Sequence, residues 1–191
     1  MSSAASSGLG SCLARLALTT AALAGLATTA TAAPLPLGVK PPPVTIMGED
    51  GAKVADGSAW TSDSLPGRVW LMIYLDPDKR DSNEAFTEAV KKAELPREKF
   101  GSVAIINMAA SWLPNSIIAS SLKAKQEEYP NTVYVKDLKK VLVDKWKLTD
   151  DEYIAIVFDR DGKVAATREG EISAADTKML VDTLKKLIDA P

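Results

Sequence analysis

Val69-Trp70-Leu71-Met72-Ile73-Tyr74-Leu75 runs straight into Asp76-Pro77-Asp78. Seven consecutive apolar residues, rich in β-branched and aromatic types, have the pattern of a central strand buried on both faces. The Asp-Pro-Asp run ends it, since these residues favour turns over a continued ladder. A strand of this kind needs layers on both sides, and the flanking sequence supplies them.

Downstream, the spacing predicts a helix from about Ser82 to Ala93, capped by Asp81 or Ser82, with Phe86, Ala89, Val90 and Ala93 on one face and Leu95-Pro96 as its stop. Val103-Ala104-Ile105-Ile106 reads as a second buried strand. Pro114 and Asn115 open a second helix, with Ile118, Leu122 and Tyr129 at helical spacing before Pro130. Thr132–Val135 and Tyr153–Phe158 are further strands, and Val141–Trp146 reads as a short strand and turn between them. Asp159-Arg160-Asp161-Gly162 is a hairpin turn into Val164–Thr167. Ser173 and Asp176 form a capping box before a helix carrying Leu180, Val181, Leu184, Leu187 and Ile188. With right-handed crossovers, this order gives an α/β fold whose closing hairpin is an antiparallel edge.

Upstream, Trp60–Gly67 reads as a connection, Gly48–Gly51 as a turn and Val44–Ile46 as a short strand. Residues 33–43 form a proline-rich arm, extended and lying on the surface as a spacer. Residues 1–32 contain one basic residue, Arg15, no acidic one, an apolar run from Leu16 to Ala27, and a small-residue stretch ending in Ala30-Thr31-Ala32. That is the anatomy of a cleavable secretory signal, and it places the mature chain in a bacterial periplasm. An uncleaved anchor, a lipoprotein box at Leu9–Cys12 and an organelle transit peptide are competing readings. They are disfavoured by the short run, by the box preceding that run, and by the scarcity of arginine.

Without residues 1–32 the formal net charge moves from −2 to −3, with both signs interleaved. No basic stripe tracks phosphates, so nucleic acid is not an expected partner, and no membrane span is expected after cleavage. Residues 44–191 are enough for a single domain with a full core. The one cysteine is Cys12, inside the signal, and the chain has no histidine. No disulfide, thiolate nucleophile or Cys/His zinc site can form downstream of it.

The element order is that of the thioredoxin fold, with an N-terminal extension of the peroxiredoxin-like and TlpA-like kind. Leu65-Pro66-Gly67-Arg68-Val69-Trp70-Leu71 resembles the approach to the central strand of those relatives. Leu95-Pro96-Arg97-Glu98-Lys99-Phe100, Ile105-Ile106-Asn107, Val157-Phe158-Asp159-Arg160-Asp161-Gly162-Lys163-Val164 and Glu169-Gly170 together resemble the YtfJ-like family of periplasmic, thioredoxin-fold proteins. Met108-Ala109-Ala110-Ser111 departs from the more polar loop expected there. The resemblance implies a thioredoxin-like three-layer fold, a mixed central sheet flanked by helices; it transfers no activity. It also implies where the redox apparatus of the fold would lie. The reactive Cys-x-x-Cys window reads Asp76-Pro77-Asp78-Lys79-Arg80-Asp81, and no proline precedes Tyr153, where such folds carry a cis-proline.

Asp76, Asp78 and Asp81 are therefore expected to face the loop of Asp150, Asp151 and Glu152, with Tyr153 after it, across one edge. Asn115 lies beside them, and Trp112 reads either as an exposed anchor or as a loop side chain folded onto the core. The expectation is an interaction edge presented to another exported protein, with no catalytic residue, metal or cofactor assigned. The alternative is a carboxylate- or cation-dependent enzyme or a small-ligand binder on the same edge, since clustered carboxylates suit Ca²⁺ or acid/base work. Lys79 and Arg80 among the acids oppose a cation, and helix capping and turn formation explain the same carboxylates. Asp159–Gly162 starts like a calcium loop but lacks the later ligands, so it remains a turn. Trp70 and Trp146 are read as packing residues.

Overall fold

A computed structural model describes residues 35–191; residues 1–34, with the signal segment, Cys12 and the first residues of the arm, lie outside the described part. The elements are β1 (Thr45–Ile46), β2 (Gly51–Lys53), β3 (Trp60–Thr61), β4 (Val69–Leu75), α1 (Glu84–Lys92), β5 (Phe100–Asn107), α2 (Asn115–Glu128), β6 (Thr132–Asp137), α3 (Val141–Trp146), β7 (Tyr153–Phe158), β8 (Val164–Glu169) and α4 (Ala174–Asp189).

Six strands form one sheet in the order β2-β6-β5-β4-β7-β8. β4 pairs in parallel with β5, and β5 with β6, while β7, β8 and β2 run antiparallel to their neighbours. β1 and β3 make a separate antiparallel pair. The apolar run around Met72 is the centre of the sheet because side chains alternate across a strand and both faces find partners. Val69, Leu71 and Leu75 pack with Phe86 of α1, Ile118 and Leu122 of α2, and Leu180, Leu184 and Ile188 of α4. Trp70, Met72 and Tyr74 point the other way, against Leu35, Val44, Ile46, Trp60 and Leu65 of the N-terminal extension and Leu142 and Trp146 of α3. The result is the expected three-layer arrangement, with a mixed sheet between two covers.

The proline-rich arm takes part in this packing. Leu35 is buried in the core, Gly38 and Val39 exchange backbone hydrogen bonds with Val164 (2.7 and 3.1 Å), and the Trp146 indole donates to the Pro42 carbonyl at 2.8 Å. Trp146 also packs on Phe158, ring centroids 6.1 Å apart and tilted by 56°. Aromatic pairs at such separations add to the area they bury. Its described residues are a strap across one face rather than a simple spacer.

Four local expectations are corrected. Val141–Trp146 is a helix, because Leu142 and Trp146, four residues apart, both face the core and the Asp137 carboxylate accepts from the first amides. Trp60–Gly67 contains β3, and β2 extends the sheet at its β6 edge. α1 begins at Glu84, and neither Asp81 nor Ser82 caps it; Asn83 occupies that position and makes no capping bond. The final helix starts as expected: Ser173 Oγ accepts from the Asp176 amide at 3.1 Å. The Asp159–Gly162 turn is closed by Asp159 Oδ1, which accepts from the Asp161 and Lys163 amides at 2.9 and 2.8 Å.

Candidate functional site

The C-terminal ends of β4, β5 and β6 meet the start of β7 along one margin of the sheet, the margin where open α/β folds present their ligand sites. The register brings Asn107 opposite Asp137, and Leu75 opposite both Ile106 and Tyr153. Asp76 follows directly, and its amide donates to the Glu152 carbonyl at 3.1 Å. Loops 76–81 and 150–152 therefore face one another as expected, joined also by the Lys79–Glu152 ion pair at 3.4 Å.

Asp76 is buried and turns inward. Its Oδ1 accepts from the Asp78 amide at 2.9 Å, which folds Pro77–Lys79 into a single 3₁₀ turn. Burial raises its pKa above the ordinary carboxyl value, and the neighbouring charges of Asp78 and Asp151 push the same way. Asp150 behaves oppositely. Burial alone pushes it up, but its ion pair with Lys140 and the Asn107 Nδ2 donor at 2.8 Å outweigh that and hold its pKa below the usual value. Asp150 in turn holds the Lys140 ammonium above its ordinary range.

Of the residues singled out in the sequence, Asp78, Asp81, Trp112, Asn115 and Asp151 are exposed and Asp150 is partly buried. Tyr153 and Asp76 are not on this surface. The Tyr153 side chain packs into the helix-side core, where its hydroxyl has no partner among the described residues and burial raises its pKa. Asp81 pairs with the adjacent Arg80 at 3.3 Å. Ser111 Oγ donates to Asp78 Oδ1 at 3.1 Å and so ties the 76–81 turn to the loop before α2. Trp112, next in that loop, is 83% exposed. The following residue, Leu113, lines a cleft of about 80 Å³ together with Leu75, Pro77, Arg80, Ile117 and Leu122 among others.

Asn83, Asp137 and Lys140 are not among the residues that the sequence points to, and Asn107 is there only as part of the family resemblance. Asn107 closes the largely buried strand β5, and Asp137, itself fully buried, closes the half-buried β6. Among the described residues, no three His, Cys, Asp or Glu side chains converge to hold a metal ion. Asp150 is engaged by Lys140, and Asp137 by backbone amides, which leaves the remaining carboxylates dispersed.

Asn83 fixes one side of the margin. Its Nδ2 donates to the Gly170 carbonyl at 2.9 Å and its Oδ1 accepts from the Ile172 amide at 2.8 Å, joining the start of α1 to the loop after β8. Asn83→Ala leaves both partners unpaired and is expected to cost about 2–3 kcal/mol. The check is the urea midpoint, measured beside Thr87→Ala on the exposed face of the same helix. Equal midpoints for the two variants would remove Asn83 from this role.

A family model described as "Bacterial protein of unknown function (YtfJ_HI0045)" matches residues 46–187. The Escherichia coli (strain K12) "Uncharacterized protein YtfJ" is 27% identical over 160 residues, covering 79% of this chain and 86% of YtfJ. Among solved structures, an uncharacterized conserved protein from Geobacillus kaustophilus matches with a TM-score of 0.60 at 18% identity, covering 81% of this chain and 83% of that one. A thiol-disulfide isomerase from Corynebacterium glutamicum matches with a TM-score of 0.55 at 13% identity, over 83% and 99% of the two chains. At these identities the structural matches speak for the fold alone. With the family model spanning most of the described domain and the sheet built as in thioredoxin-like proteins, the chain belongs to the YtfJ family.

Proposed function

We propose that this protein is an exported, non-redox thioredoxin-like module that binds another periplasmic protein through the margin where a redox-active relative carries its thiols. The observation that carries the reading is Trp112: 83% exposed, on the loop bonded to the 76–81 turn. A large aromatic left in water, with an apolar cleft lined by the residue that follows it, supports an interaction surface, tryptophan being a favoured anchor of such surfaces. The absence of cysteine after Cys12 supports a binding role over thiol exchange. The small-residue stretch before residue 33 supports export.

The test is a photoreactive phenylalanine analogue at position 112, with the same analogue at Lys178 on exposed α4 as control. Irradiation in cells of the native host is expected to give a discrete adduct from position 112 and none from position 178. Identical adducts from both positions, or none from 112, would end the reading. Mass spectrometry of the purified product is expected to place its first residue at Ala33; a chain that retains residues 1–32 would contradict export by cleavage.

A further inference from the structure

The positive charges around the Trp112 surface are already matched. Lys79 pairs with Glu152 at 3.4 Å, Arg80 with Asp81 at 3.3 Å, and Lys140 with Asp150. Two exposed carboxylates are not matched: among the described residues, no lysine or arginine lies within ion-pair distance of Asp78 or Asp151. Asp78 follows Pro77, which lines the cleft, and accepts from Ser111, the residue before Trp112. Asp151 sits on the facing loop in a left-handed conformation, φ 58°, a backbone state that bulky residues avoid. Both charges bear on buried Asp76 between them. The surface thus carries two exposed carboxylates outside any ion pair, with Lys79, Arg80 and Lys140 directed to Glu152, Asp81 and Asp150, and the Trp112 ring is itself a face on which a cation can rest.

We propose that this surface selects polypeptide segments that set a lysine or arginine beside an apolar side chain, the apolar group entering the cleft and the cation lying between Trp112 and Asp78. The inference rests on the binding-module reading and adds the chemistry of the partner. An acidic segment would meet Asp78 and Asp151 as like charges, and complementarity of this kind sets partner choice more than raw affinity.

Trp112 is also the reporter. Of the four tryptophans, Trp60, Trp70 and Trp146 are buried, so quenching by acrylamide and any blue shift on binding report on position 112. The purified protein is titrated with short peptides of one apolar core flanked by lysine, glutamine or glutamate. The lysine peptide is expected to bind about tenfold more tightly than the glutamine peptide at low salt, and the glutamate peptide most weakly. The preference shrinks as salt screens it. Asp78→Asn with Asp151→Asn, which keeps the acceptor for Ser111, is expected to cut the preference below about threefold, and Asp78→Lys with Asp151→Lys to reverse it. Equal binding of the lysine and glutamine peptides overturns the selection while leaving the binding surface standing. No response to any of the peptides removes the surface itself. Protection of Trp112 that grows with protein concentration in the absence of peptide assigns the site to a second copy of the chain and overturns the proposal.

Discussion

Gly51→Ala is expected to lower the thermal midpoint by roughly 6–12 °C, the shift that a loss on the order of 3 kcal/mol gives a domain of this length. Gly51 opens β2 at φ +139°, a conformation that L side chains rarely adopt. A β-carbon there would stand 1.8 Å from the Lys136 carbonyl oxygen and 2.8 Å from its carbon, with Ile46 Cγ2 at 2.9 Å on the other side. A flexible side chain can swing away, but a carbonyl inside a paired strand cannot. β2 has to leave β6, and the pairs Gly51–Asp137, Ala52–Lys136 and Lys53–Val135 open with it. The consequence reaches the site because Asp137 closes β6 and Leu138, just beyond it, donates to the Asp50 carbonyl at 2.8 Å. Gly57→Ala is the control. Gly57 also has positive φ but open space around it, so its variant is expected to lose only about 1 kcal/mol. Hydrogen exchange should show faster amides at 51–53 and 135–137 in Gly51→Ala. Equal midpoints for the two variants would show that the close approach is unimportant.

The parts of this molecule legible in the sequence are those whose fate is decided by their own neighbours. β4 and β7 have the bounds that the sequence predicts, Val69–Leu75 and Tyr153–Phe158, because a strand buried on both faces is an unbroken apolar run whatever surrounds it. α3 is not legible in its own residues, because Val141-Leu142-Val143 has strand composition; what turns it into helix is the carboxylate of Asp137, which meets its first amides from the end of another element. β2 and β3 carry no period of their own, being held by pairing. The same distinction runs through the site. That loops 76–81 and 150–152 face one another follows from topology, whereas a tryptophan in a loop is equally compatible with folding onto the core, and only the structure leaves Trp112 in water. The burial of Asp76 and Tyr153 does not follow from topology either, because burial at a sheet margin depends on which loop lies over it. Asn83 is the extreme case, with partners 87 and 89 residues away in sequence.

Asp137→Ala is expected to cost on the order of 3–5 kcal/mol, among the largest effects of any side-chain truncation in the domain. The carboxylate is fully buried, and among the described residues no lysine or arginine lies within ion-pair distance of it: Lys139 pairs with Glu49 and Lys140 with Asp150. Its Oδ1 accepts from the amides of Lys139 at 3.2 Å and Val141 at 2.9 Å, and its Oδ2 from Leu142 at 3.2 Å and from the Tyr74 hydroxyl at 3.3 Å. Alanine leaves these four donors without a partner where water has little room, so the penalty is their desolvation and not merely the loss of four net bonds. Tyr74→Phe removes a single donor together with its bond and is expected to cost about 1 kcal/mol. Asp137→Asn falls between them, since its oxygen still serves Val141 and Lys139 while its amide turns a donor toward the Leu142 N–H. The pH dependence separates this from simple packing. Burial raises the pKa of Asp137 in the fold above its ordinary 3.8, although its hydrogen bonds pull the other way. A raised folded pKa gives stability that is complete below the unfolded pKa and lost as pH rises through the folded one. Asp150, whose folded pKa is lowered, has the opposite slope and loses its contribution as the solution is acidified. Asn at position 137 removes only the first of these slopes. The penalty of Asp137→Asn, read from urea midpoints at a series of pH values from the unfolded carboxyl pKa upward, should therefore shrink as pH rises. A penalty that grows with pH would mean that the four donors, not burial, control this carboxylate, and that α3 is held by an ionised group throughout.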